Sequence, residues 1–270
     1  MTFQQIPTPE SQALAATLAE VAPTTPTGCV DWTARNISAH LAAGTKEVAD
    51  LIELKVDRHQ TRPTREFAER EAPFLALNDA DLNKAMATQG ERLLAAARAL
   101  AQTNDPAFLF TGRIFTVAQL ATHMRSESVL HRWDIVGDDD LCDQLLTQAD
   151  LTRHAVDLLN TLPVLYESPE WRAKRAGVTG TLRIVLRSPQ TADIVYEHTP
   201  EGAVFDIFEH GSASGDAVVT TEVANRLLTI WGRRSAERPF TVDTDAVDPA
   251  TVEAVLWGAG APWAPRPGTV

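Results

Sequence analysis

Cysteine is scarce: Cys29 and Cys142 are the only two among 270 residues, and they form no C-x-x-C pair. That excludes a disulfide framework and a thiolate zinc knuckle, and it fits a reducing, cytoplasmic setting. Long apolar runs are missing as well, since none approaches the roughly 20 residues that span a bilayer. The opening residues, MTFQQIPTPESQ, have neither a basic start nor an apolar stretch, so no secretory leader is expected. Positive charge is in deficit, with 24 Lys and Arg against 36 Asp and Glu and a net charge of −12. No basic stripe offsets it, which argues against nucleic-acid and membrane-surface partners. Neither a P-loop nor a G-x-G-x-x-G turn occurs. The run Gly211-Ser-Ala-Ser-Gly215 has no serine at its centre, so it is not a nucleophile elbow.

What remains is a chain that is 44% hydrophobic and 22% charged, long enough for one large domain or two ordinary ones. Apolar residues at helical spacing predict helices over 8–21 (Leu14, Leu18, Val21), 31–56 (Ile37, Leu41, Val48, Leu51, Ile52), 79–101, 116–136 and 151–165. Residues 60–78 read as irregular and charged, 108–115 as an extended apolar connector, and 138–140 as an acidic solvated turn. The first part is therefore expected to be a helical bundle. After a basic, turn-like hinge at 168–177 the pattern changes. Strands with period-2 alternation are expected at 181–186, 192–196 and 204–208, then a helix at 221–231, a strand at 239–242 and a helix at 249–257 capped by Asp248. The expected fold class is α+β in two domains: a four-helix bundle over 1–167 and a small α+β domain over 178–262.

One helix carries the candidate chemistry. Thr116 and Gln119 have capping-box spacing, and from there His123, Glu127 and His131 fall at i, i+4 and i+8 on one face. At about 1.5 Å rise per residue, i and i+8 stand about 12 Å apart, too far to share an ion. Only a neighbouring pair can do so, and a zinc-type centre then needs a third ligand from elsewhere. Without one, the pair reads as a buried acid–imidazole contact. His40, beside the apolar stripe of the second long helix, is the best candidate for that ligand.

Two segments together resemble a known family. Gly28-Cys-Val-Asp-Trp-Thr-Ala-Arg-Asn-Ile-Ser-Ala-His-Leu41 is similar to the W-T-x-R-(D/N)-(L/I)-x-A-H-L signature of the mycothiol-dependent maleylpyruvate isomerase N-terminal domain, a branch of the DinB-like four-helix bundles. Arg125-Ser-Glu-Ser-Val-Leu-His-Arg-Trp-Asp134 resembles that domain's R-x-E-x-x-x-H-R-W-D signature. The later Gly215-Asp-Ala217 and Leu228-Thr-Ile-Trp-Gly-Arg233 are similar to a sterol-carrier-like domain that accompanies the bundle. Val30-Asp31 departs from the family, which often has Pro-Gly there, and the departure is expected to affect only the turn.

The resemblance implies a metal triad of His40, Glu127 and His131, with His123 outside the pattern as a structural or supporting residue. It implies zinc or another divalent first-row metal, and mycothiol as the thiol cosubstrate. Thiol activation follows, with transfer to a small electrophile, giving isomerisation or a stable S-conjugate. Arg233 and Arg234 are candidates for the anionic end of a substrate if the second domain closes over the bundle; Arg125 and Arg132 flank the metal helix. Asp134, three residues after His131, is placed either to orient a ligand imidazole or to meet solvent. Trp32 and Trp133 read as packing residues. Two other readings stand beside this one: a metal-dependent hydrolase, and a non-catalytic carrier of an apolar small molecule.

Overall fold

Thr8 opens the first helix by accepting a hydrogen bond from the Ser11 backbone at 3.2 Å, and Pro9 takes the first helical position, where its missing N–H costs nothing. The computed structural model describes residues 8–162, 167–258 and 262–265. Two compact units emerge, the first reaching Val136 and the second running from Gly137 to Ala264.

The first unit is built on four long helices. α1 (Pro9–Glu20) packs on α5 (Val117–Val136), and α2 (Ala34–Val56) packs on α4 (Asp79–Ala101). Ala39, Ala42 and Ala43, each at most 1% exposed, keep α2 thin where Phe74 and Leu82 pack against it. Leu14, Val21, Ala34, Ile37 and Ile135 close the other end of the core. The capping box at α5 forms as the spacing predicts: the Thr116 backbone donates to Gln119 Oε1 at 2.9 Å and the Gln119 backbone to Thr116 Oγ1 at 3.2 Å.

Two segments of this unit are more ordered than the sequence suggests. Residues 60–78, expected to be irregular, contain a short helix α3 (Phe67–Leu75) with Pro73 inside it. The connector 108–115 is a hairpin of β1 (Ala107–Phe110) and β2 (Arg113–Thr116). Thr111 and Gly112 turn it with φ of 50° and 82°, the paired positive values of a two-residue hairpin loop.

The second unit is α+β, with three helices ahead of its sheet: α6 (Asp140–Leu146), α7 (Ala149–Thr161) and α8 (Pro169–Ala176). Its sheet has the order β5-β4-β3-β6-β7, antiparallel except where β3 (Leu182–Arg187) runs parallel to β6 (Ala217–Thr221). β4 (Asp193–Thr199) and β5 (Gly202–Phe208) form a hairpin. α9 (Val223–Ile230) leads to β7 (Phe240–Asp243), and α10 (Pro249–Trp257) starts at Asp248, whose carboxylate accepts from the Ala250 backbone at 3.0 Å. Gly215 lets the chain pass Arg183 closely: a Cβ there would lie 2.6 Å from the Arg183 carbonyl oxygen.

The unit boundary falls well before the expected 167. The helix expected at 151–165 as the bundle's fourth member is α7, which packs on β5 and α9 instead; residues 163–166 lie outside the described residues. Its buried face of Leu151, Ala155, Leu158 and Leu159 would look the same against helices or a sheet, so periodicity could not choose the partner. The acidic turn at 138–140 is the start of α6, where Asp139 accepts from the Cys142 backbone at 2.6 Å. The hinge at 168–177 is mostly α8, stopped by Gly177 in the left-handed conformation.

Candidate metal centre

The first unit places an imidazole of α2 opposite an acid–imidazole pair of α5. His40, Glu127 and His131 each offer a ligand atom, and the three atoms lie within 4.8 Å of one another. His40 Nε2 stands 3.7 Å and His131 Nε2 3.6 Å from the same oxygen, Glu127 Oε2. Those separations are too long for hydrogen bonds. They lie at or just above the spacing of donors on a common ion, about 3.3–3.6 Å in a tetrahedral site with bonds of about 2.0–2.2 Å.

The other face of each imidazole is already engaged. His40 Nδ1 lies 2.7 Å from Glu71 Oε1, on α3, and His131 Nδ1 lies 2.9 Å from Asp134 Oδ2. A carboxylate on Nδ1 fixes the ring and leaves Nε2 facing the gap, the usual support for a metal-ligating histidine. Trp32 packs against both rings, with centroids 5.2 Å from His40 and 6.3 Å from His131. Its loop is tied to the end of α5 by the Gly28 backbone donating to the Asp134 carbonyl at 2.7 Å. Asp31 sits in that loop at φ 63°, a left-handed conformation that suits glycine better than aspartate.

The electrostatics describe a site short of positive charge. Burial works against a charged His131, yet Asp134, Cys29 and Glu127 outweigh it and raise its proton affinity well above the histidine range. Burial likewise opposes ionisation of Glu127, but His131, His40 and His123 hold its carboxyl well below the usual range. A second cluster, Cys29 with His131 and Asp134, has three donors equally close. There the Cys29 thiol reaches Asp134 Oδ2 at 3.2 Å and His131 Nδ1 reaches the same oxygen at 2.9 Å, so hydrogen bonds fill the space an ion would need.

Residues 8–136 match the model of a family described as the mycothiol maleylpyruvate isomerase N-terminal domain. That match covers the first unit and ends where the second begins. A crystal structure of the mycothiol-dependent maleylpyruvate isomerase shares the fold, with a TM-score of 0.59 at 15% identity over 89% of this chain and 90% of that one. A mutant of that enzyme gives the same TM-score and coverage at 16% identity. No curated protein sequence matches the chain significantly.

Within the matched segment, the three residues that the resemblance pointed to lie close together, and the neighbouring ones divide by role. His123 lies one turn before Glu127 but packs between the Phe110 and Phe115 rings, and burial lowers its pKa. Arg125 is buried in an ion pair with Glu10 of α1 at 2.9 Å and ties two helices together. Arg233 and Arg234 belong to the second unit, where Arg234 pairs with Glu253 at 2.9 Å and lies over Trp257.

Two site residues escaped the sequence reading, Glu71 and Arg70. Both lie on α3, in a stretch whose prolines and charges masked a helix. A helical reading of 67–75 would have shown Arg70, Glu71 and Phe74 on its buried face. The segment leading into α3 is held by Glu47 of α2, which is fully buried and accepts from Arg62 at 2.6 Å and from the Arg65 backbone at 3.0 Å. Burial opposes ionisation there, but the hydrogen bonds from Arg62 and Arg65 lower the Glu47 carboxyl to about 2.

Proposed function

We propose that this protein is a metal-dependent mycothiol S-transferase or isomerase that adds an activated thiolate to a small electrophile. The observation that carries the reading is the convergence of His40, Glu127 and His131, each imidazole backed by its own carboxylate. Those three residues would hold a divalent first-row metal, zinc being the leading candidate, with a position left for a further ligand. When bound, the metal would supply the charge that keeps a thiol ionised, since a free thiol of pKa about 8.5 is mostly protonated at neutral pH.

The chain's own residues do the positioning. Glu71 and Asp134 lock the ring planes, and Trp32 limits their swing from one side. Phe110 and Phe115, around His123, make one wall of the site apolar. Arg233 and Arg234 are proposed as candidates for an anionic group of the substrate on the condition that the second unit closes over the first. Mycothiol and maleylpyruvate are what the named structural relatives use, and the thiol is the part of that chemistry the triad supports most directly. Addition to an activated C=C then ends either in rotation and thiol loss, which is isomerisation, or in a stable conjugate.

Elemental analysis of the purified protein, with thiol consumption followed in parallel, tests the reading. His40→Ala and His131→Ala should each lose both metal and transfer. Unchanged metal stoichiometry in the two variants would refute the assignment. Product formed at the same rate without thiol would transfer the site to hydrolysis.

A further inference from the structure

Arg70 is a charged side chain of the site whose position nothing so far explains. It is 5% exposed, and its Nε and Nη1 are buried without a hydrogen-bond partner. Among the described residues no ion pair engages it; its guanidinium lies over the Phe67 ring, 4.4 Å from the centroid. The neighbouring Glu71 is turned to His40 instead. Arg70 also lines a cavity together with His40, Glu127, His123, Phe110 and Met124. A buried guanidinium with unsatisfied donors costs several kcal/mol unless something pairs with it. Its planar fork matches a carboxylate in a bidentate contact that a lysine could not make.

We propose that Arg70 is the anion anchor of the first unit, binding a carboxylate of the small electrophile in the cavity that opens on His40 and Glu127. The acid group would be held by Arg70 while the rest of the molecule reaches towards the ligand triad. This rests on the proposed thiol-transfer reading for the ligand's role as substrate, though not for its binding. Stacking on Phe67 keeps the guanidinium flat and aligned, and Phe110 and Met124 make part of the cavity lining apolar.

The test is calorimetric titration of the metal-loaded full chain, without thiol, using maleate and its neutral diamide. Wild type should bind maleate and not the diamide. Arg70→Met should weaken maleate binding about 10- to 150-fold, the range for a hydrogen bond to a charged partner, with metal content unchanged. Arg70→Lys, which keeps the charge and guards against a folding failure, should recover part of that loss.

Maleate affinity in Arg70→Met within about two-fold of wild type, below the smallest effect expected of a charged pair, would overturn the proposal. So would loss of binding in Arg234→Met in its place, or no binding to wild type. The two readings fail separately. Arg70-dependent binding in a protein that never transfers thiol upholds the anion anchor and refutes the transferase. Thiol transfer with Arg70-independent binding does the reverse.

Discussion

Replacing Glu71 isolates the contribution of a residue that never touches the metal. Its Oε1 is 2.7 Å from His40 Nδ1, and the side chain is almost entirely buried, so solvent does little to screen the contact. A hydrogen bond involving a charged partner is worth about 1.5–3 kcal/mol. At about 1.4 kcal/mol per tenfold, this amounts to about 10- to 150-fold in metal affinity if the bond is felt only in the bound state, which brackets the effect usual for outer carboxylates. Glu71→Ala leaves the His40 ring free to turn and its N–H buried without an acceptor, so about 50-fold weaker zinc binding is expected. Glu71→Gln keeps an acceptor oxygen but loses its charge, and about a tenfold loss should follow. Zinc dissociation constants from competition with a chromophoric chelator, alongside His40→Ala as the floor, provide the measurement. If Glu71→Ala binds zinc within threefold of wild type while His40→Ala does not bind it, the outer carboxylate is not orienting the ligand and the reasoning fails.

Three further outcomes follow from contacts elsewhere. The Glu47 carboxyl lies at about 2 against an ordinary 4.5, so its stabilisation is full above the unfolded value and is lost as pH falls towards the folded one. That drop corresponds to about 2–3 kcal/mol once the part-exposed arginines are discounted; denaturant unfolding should show the gap between wild type and Glu47→Gln closing between neutral pH and about pH 2.5, and a gap constant across that range would contradict it. Arg172, fully buried in the second unit, donates to the carbonyls of Glu167, Thr229, Ile230 and Leu256. Arg172→Met should cost about 3–5 kcal/mol by thermal or chemical unfolding, and a loss below 1 kcal/mol would show that those carbonyls find other donors. Gly215→Ala drives a methyl into the Arg183 carbonyl and should destabilise by about 1–3 kcal/mol, so an unchanged melting temperature would refute the close approach.

Legibility in the sequence followed the length and regularity of the elements. α2, α4 and α5 run for 20 residues or more, and their spacing located His40, Glu127 and His131 on the correct faces. α3, nine residues with a proline inside, gave too few turns for a pattern, and Glu71 and Arg70 were hidden with it. β6, only five residues long, sits beside β3 in the middle of the sheet, and its Ala-Val-Val-Thr-Thr offers little alternation to detect. The 151–165 helix was visible but its partner was not, because an apolar face records that it is covered and not by what. The resemblance supplied the pairing of His40 with the α5 residues, which spacing alone left open between a metal and a buried acid–imidazole contact.

The triad is assembled unequally. Glu127, His131 and the supporting Asp134 all belong to two consecutive turns of α5, whereas His40 and Glu71 come from two other helices. One half of the centre therefore exists whenever a single helix is wound, and the other half only when three helices have docked. Grip on a cation becomes a gauge of tertiary order: warming or mild denaturant would release the ion while α5 is still intact, and a transplanted copy of that helix would carry two ligands without ever closing the third side.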